Sequence, residues 1–366
     1  MMLKRKSAFP ALATLIAPIA IFLMAAAPAM GQTRIQGELV PRDEVPAGAG
    51  NSGALLDHRE LIRGLVQNIS SYAHSQRRNF MIIAKGSPEL LTKVDDIDET
   101  KVSPARAYMK SIDGIMIDGL FFGARNIGQP TPPDRLDAIL KLTDLAKRNR
   151  LNVMVMDYVD SAEQAGESYA RNGERKYTSF AADARGDLLN AIPSFSNKPV
   201  NENPKSILSI PDVKNFLYMG DSSGYGRQDE FSLEMHRNNF DLIVVDVFHG
   251  RTPLTRQAVE TLKYKRIGAK RLVFAHLDVG TAAAYHYYWQ SGWREGSPHW
   301  INAPLRDDPD KFRVQYWNPE WQDIIYGNTN SYIYGLIAQG FDGVVLEGLE
   351  VYKYYIGGGV DDEEQQ

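Results

Sequence analysis

Residues 242–253 read Leu-Ile-Val-Val-Asp-Val-Phe-His-Gly-Arg-Thr-Pro. The apolar run is β-branched, unbroken and short, which is the signature of a strand buried on both faces rather than of a helix. It ends on an acid, Asp246, and Thr252-Pro253 offers a helix start, a capping hydroxyl followed by a first-turn proline. Outward in both directions the same alternation recurs. Strands are expected at 80–84, 114–118, 153–157, 216–219, 242–248, 272–279, 312–316 and 343–347, with 177–181 a weaker ninth. Between them lie helical stripes: Leu61, Ile62, Leu65, Val66 and Ile69; Leu136, Ile139, Leu140 and Leu145; and Ile333, Leu336 and Ile337, stopped by Gly340. Continuous apolar strands separated by helices call for a parallel sheet covered on both faces. No glycine-rich phosphate loop follows any strand as it would in an open nucleotide-binding sheet. The expectation is therefore an α/β fold, an eight-stranded (β/α)8 TIM barrel, over residues 57–356.

The 366 residues, 43% hydrophobic and 23% charged, exclude a disordered chain, and the absence of cysteine excludes a disulfide scaffold, a zinc–thiolate site and a thiol nucleophile. Residues 1–31 read as a signal peptide: Lys4, Arg5 and Lys6 precede an apolar run, with small residues around 27–31. That run is also long enough for a bilayer anchor, but Pro10, Pro18 and Pro28 favour cleavage. A periplasmic or extracellular location is expected, with no membrane span after cleavage. Without those residues the chain carries 38 basic and 45 acidic side chains, a net of −7, which makes nucleic acid a poor partner. Residues 32–56 form a flexible lead-in, 185–212 a linker rich in Asn, Pro and Ser, and 357–366 an acidic tail.

Five expected strands end on acids: Asp118, Asp157, Asp246, Asp278 and Glu347. In a barrel such ends converge on one face. Clustered carboxylates suit glycoside hydrolysis, in which one carboxyl protonates the leaving oxygen while a second attacks or stabilises the sugar cation. Taken singly, each could instead cap a helix or pair with an arginine. All five tryptophans fall within 33 residues, among the tyrosines of 285–316. Tyr288, Trp289, Tyr316 and Trp317 are the candidates to stack on sugar faces, with His276 beside Asp278 on one face of its strand. His249, His276 and His286 lack metal-ligand spacing, so neither a metal nor a cofactor is expected.

Tyr316-Trp317-Asn318-Pro319-Glu320-Trp321, the block Gly340-Phe341-Asp342-Gly343-Val344-Val345-Leu346-Glu347, the strand ending in Asp246 and Tyr287-Tyr288-Trp289 resemble the endo-α-1,4-polygalactosaminidase family of glycoside hydrolases and its relatives once labelled cysteinyl-tRNA-synthetase-like. The resemblance covers roughly 216–355 and implies a TIM barrel acting on an amino-sugar polysaccharide. Segments resembling the rest of the family, at 80–84, 112–122 and 153–158, come before it instead of after, which implies a circular permutation joined through 185–212. Where the family has Gly-Glu-Ala-Glu, this chain has Gly280-Thr281-Ala282-Ala283, and the expected general acid is missing. Asp246 then matches the nucleophile or stabiliser, with Asp278 or Glu347 as a relocated acid, and Asp118 and Asp157 join the substrate contacts. Three readings stay open: a secreted glycosidase, a polysaccharide-binding barrel without hydrolysis, and a structural component of an exopolysaccharide or envelope system.

Overall fold

Asp57 opens the first helix of the computed structural model, which describes residues 56–94, 98 and 101–359. Its carboxylate accepts from the amides of Arg59 and Glu60, both at 3.0 Å, and caps α1 (His58–Gln76). Ile62, Leu65, Val66, Ile69 and Ala73 recur at helical spacing and are buried, so the stripe legible in the sequence is the face laid on the sheet. The expected signal peptide, all but the last residue of the lead-in, and residues 360–366 of the tail lie outside the described residues.

Eight parallel strands follow: β1 (Met81–Lys85), β2 (Gly114–Asp118), β3 (Asn152–Tyr158), β4 (Thr178–Ala182), β5 (Phe216–Tyr218), β6 (Leu242–Val245), β7 (Leu272–Asp278) and β8 (Gly343–Glu347). Their spatial order is β4-β3-β2-β1-β8-β7-β6-β5, so each strand lies beside its neighbours in sequence and β1 pairs with β8, Met81 opposite Gly343 through Ala84 opposite Leu346. The sheet is thus nearly closed into a barrel, compatible with a TIM-like barrel. The β4–β5 seam has no backbone ladder among the described residues and is filled by side chains: Phe180 and Phe216 lie 5.8 Å apart, and Thr178 Oγ1 donates to Val213 O at 3.3 Å. Inside, space is divided between large and absent side chains. A Cβ on Gly343 would stand 2.6 Å from the Phe274 ring, so glycine there is what lets phenylalanine fill the centre.

Two strand expectations change places. Thr178–Ala182, the weak ninth candidate, is a barrel strand, whereas Lys311–Val314 from the expected strand 312–316 lies outside the barrel. It is the middle of a small antiparallel sheet between Thr281–Ala283 and Ile301–Pro304. Its charged residues Lys311 and Arg313 alternate with Phe312 and Val314, as a half-covered antiparallel strand requires. Thr252-Pro253 does not start a helix either. It pairs back onto Phe248–His249, and Thr255 caps α2 (Arg256–Leu262) by accepting from Ala258 N at 3.1 Å. Gly340, with φ +100°, ends α3 (Tyr332–Gln339) as expected.

The segment 185–212 is tied down rather than loose. Lys265, fully buried, donates to the carbonyls of Asn203 and Lys205 at 2.9 Å each and to Asp241 Oδ1 at 2.5 Å. Asp241 Oδ2 accepts from Asn203 Nδ2 at 2.8 Å and Lys214 N at 2.9 Å. The pair stands at the start of β6, on the face opposite the strand ends, where side chains serve stability.

Candidate functional site

Side chains alternate along a strand, so each barrel strand can offer one polar residue at its end above an apolar interior. The ends of β1, β2, β3, β5 and β8 carry Lys85, Asp118, Tyr158, Tyr218 and Glu347, and these form one connected cluster. Lys85 Nζ lies 2.9 Å from Asp118 Oδ2 and 3.1 Å from Glu347 Oε1. Tyr158 donates its hydroxyl to Asp118 Oδ1 at 3.1 Å, and Tyr218 donates to Glu347 Oε1. Burial would push the Glu347 carboxyl up, but the Lys85 ammonium, aided by His276 and the Tyr218 hydroxyl, outweighs it and holds the group down at about 2. Burial likewise disfavours the charge on Lys85, yet its two carboxylate neighbours keep it protonated.

Beside this cluster opens a cavity of about 250 Å³. Asp246, His276, Asp278, Tyr288 and Glu347 from the expected site all line it, together with Tyr218, Tyr285, His286, Lys311 and Tyr332. Asp246 follows β6, and its Oδ1 accepts from Phe248 N at 3.0 Å. Burial raises its pKa, against the opposing pull of His276. The His276 ring stacks on Tyr218 with centroids 5.4 Å apart, and its Nε2 is buried without a protein partner among the described residues. Asp278 is raised by burial too, but its oxygens are already engaged: Oδ1 accepts from Gly280 N at 2.8 Å and Thr281 N at 3.0 Å, and Oδ2 from Thr281 Oγ1 at 2.7 Å.

The remaining expected contacts lie elsewhere. Asp118 belongs to the lysine cluster, not to the cavity lining. Asp157 is fully buried and saturated, accepting from the amides of Phe121 and Phe122 and from Ser168 Oγ and Asn172 Nδ2, so it pins a loop and a helix rather than a ligand. Tyr316 is buried and donates to His58 O at 2.8 Å, while Trp317 packs edge-on to Tyr355 at 4.7 Å, both under the start of α1. Trp289 stacks on Phe312 at 5.3 Å. Trp293, Trp300 and Trp321 continue the ring contacts inward, edge-on and then tilted, with the Trp321 indole donating to Val279 O at 3.0 Å. The tryptophan cluster is thus the core of the small sheet, and the cavity wall is tyrosine and histidine.

Sequence reasoning missed Lys85 and Tyr218, which close their strands just as the acids do; a search for any polar strand end, not only acids, would have found them. It also missed Asp187, which the expected linker places in the cavity wall. Among the described residues no group of three His, Asp or Glu is arranged to hold a metal ion. No helix among them is long and apolar enough to cross a membrane.

His286 supplies a pH test of the cavity. Burial, with Lys311 and His276 nearby, lowers its pKa from 6.5 to about 4. Between those values the unfolded chain binds a proton that the folded chain refuses, so stability is complete above about 6.5 and falls as pH drops toward 4. At 1.36 kcal/mol per unit the loss is on the order of 3 kcal/mol. His286→Gln is expected to flatten that part of the stability curve, measured by urea unfolding at pH 7 and 4.5. An unchanged slope would place the proton uptake elsewhere.

Three relatives share part of the chain. A protein of Deinococcus radiodurans is 36% identical over 135 residues, covering 36% of this chain and 39% of its own. One of Methanocaldococcus jannaschii is 31% identical over 131 residues, 36% of each chain. One of Thermotoga maritima is 26% identical over 155 residues, 42% of this chain and 46% of its own. All three are named as uncharacterized, and no family model matches the chain. The matches span about two fifths of the length of these relatives.

Proposed function

We propose that the protein is a glycoside hydrolase-like (β/α)8 barrel acting on an amino-sugar polysaccharide, a circularly permuted relative of the polygalactosaminidases, exported by the signal read in residues 1–31. The observation that carries the activity is the separation of two carboxyls in one cavity: Glu347 is held ionised at about 2, while burial pushes Asp246 up. Carboxyls whose surroundings drive them apart divide the roles of anion and acid. The roles are then the reverse of those suggested by the sequence. Asp246 donates its proton to the glycosidic oxygen as the C–O bond breaks, and Glu347 attacks or stabilises the anomeric carbon until water adds there. Asp187 on the same wall, 3.8 Å from the Lys311 ammonium, suits a cationic amino sugar that takes the lysine's place. The permutation rests on motif order, because pairing of the first strand with the last is required of any closed barrel.

A second reading, polysaccharide binding without hydrolysis, is favoured by one observation. Thr281 stands where the resembled family has a glutamate, and it is the residue that engages Asp278. The missing acid and the occupied neighbour are a single change. Hydrolysis of a galactosamine-containing polymer by wild type and Asp246→Asn tests both readings. A loss of about 10²-fold or more in kcat is expected, the usual contribution of a positioned acid. Activity equal in the two removes Asp246 from the chemistry, and binding without cleavage by wild type supports the second reading.

A further inference from the structure

On the other side of Lys85 and Asp118 lies a second cavity, of about 530 Å³, between the loops that follow β1 and β2. Arg135, Arg185 and Lys353 line it, with Ser87, Glu89, Asp118 and Glu350. Most of its charges are already matched. Lys353 lies 2.6 Å from Glu89, and Asp118 is taken by Lys85. The guanidinium carbon of Arg185 lies 3.9 Å from the centroid of the Tyr158 ring and the group gives one N–H to Gly123 O; neither it nor Arg135 has a carboxylate partner among the described residues. Ser87 is 7% exposed, and its Oγ has no protein partner among the described residues. Leaving such a buried hydroxyl unpaired is unfavourable. Ser87 also holds a left-handed backbone, φ +42°, next to Gly86 at +75°, a strained turn that aims at the cavity.

The two cavities are neighbours, with shared walls. A hollow of about 270 Å³ between them shares Asp278 and Thr281 with the first and Glu350 and Lys353 with the second. The second cavity alone, at about 530 Å³, is far larger than an inorganic anion fills.

We propose that this second cavity is a subsite for an acidic sugar, whose carboxylate is met by Arg135 and Arg185 and one of whose hydroxyls is met by Ser87 Oγ. A polymer that reaches both cavities then carries a carboxylate residue near the amino sugar. The sugar part of this inference rests on the glycan reading above; the carboxylate–guanidinium contact does not. Calorimetric titration of the full chain with a trigalacturonate, a neutral galactose trimer and sulfate tests it. Wild type is expected to bind the acidic trimer, Arg135→Gln and Arg185→Gln each about tenfold more weakly, the scale of one charge-assisted pair. Ser87→Ala should also weaken binding, and Glu350→Gln, which removes a carboxyl that burial raises to about 7, should tighten it above that pH. Arg135 is exposed on its helix (Pro133–Arg148), so its variant separates binding from folding. Equal binding of sulfate or of the neutral trimer, no binding by wild type, or affinity untouched by both arginine variants overturns the proposal. Acid-trimer binding that follows the arginines while the amino-sugar polymer is not cleaved keeps the subsite and discards only the hydrolase.

Discussion

Lys85→Met is expected to lower stability at pH 7 by about 3 kcal/mol, and to lose most of that deficit only as pH falls toward 2. The ammonium faces two carboxylates at 2.9 and 3.1 Å, and all three side chains are less than a third exposed. Methionine keeps the packing of the stem and removes the charge, leaving Asp118 and Glu347 partly buried together. In the wild type, Glu347 titrates at about 2, below its ordinary 4.5. Its contribution is therefore complete above about 4.5 and is lost as pH falls through 2. Without Lys85 the burial that raises Glu347 has no opponent of the same size, and the folded pKa moves above the unfolded one. The group then destabilises the fold at neutral pH and ceases to do so once both states are protonated. Urea unfolding at pH 7 and pH 2 reads the difference directly. A deficit of the same size at both pH values would mean that Lys85 acts through packing alone, and the division of roles between Glu347 and Asp246 would lose its basis.

The barrel is legible because burial on both faces forces it into the sequence: Leu242–Val245 is apolar at every position and is buried at every position. Legibility fails where burial comes from partners rather than from the run itself. Thr178–Ala182 contains Thr, Ser and two Ala, and only Phe180, meeting Phe216 across the seam, shows that it closes the barrel. The site divides in the same way. The carboxylates could be found from their place at strand ends, but their roles depend on what stands across the barrel. Asp246 and Glu347 look alike in sequence and differ because Lys85, some 260 residues from Glu347, touches only one of them. Asp157 looks like either of them, yet it is spent on two amides, a serine and an asparagine. The tryptophans announce a special region without saying which way they face. Trp300 and Trp321 are fully buried, their indole N–H groups given to Glu320 and Val279, so they hold up the small sheet that forms one wall of the cavity.

Lys265→Met is expected to cost about 3–5 kcal/mol, because it strands the buried Asp241 carboxylate without the ammonium that touches it, leaving only the more distant Arg271 guanidinium. Both side chains are completely buried, and the lysine's three hydrogens are matched by three oxygens: Asp241 Oδ1 and the carbonyls of Asn203 and Lys205. Removing the ammonium therefore unpairs one carboxylate oxygen and two backbone carbonyls at once. The second of these losses falls on segment 185–212, which carries Arg185 into one cavity and Asp187 into the other. The double variant Asp241→Asn with Lys265→Met removes the stranded charge and should recover part of the loss, since the asparagine can still accept from Lys214 N. The difference between single and double variants then separates the charge from the anchoring. Urea midpoints should fall for the single variant with an unchanged m-value, and proteolysis within 198–206 should quicken in both. A single variant within about 1 kcal/mol of wild type would mean that water reaches Asp241, and that the segment is held by its turns rather than by the lysine.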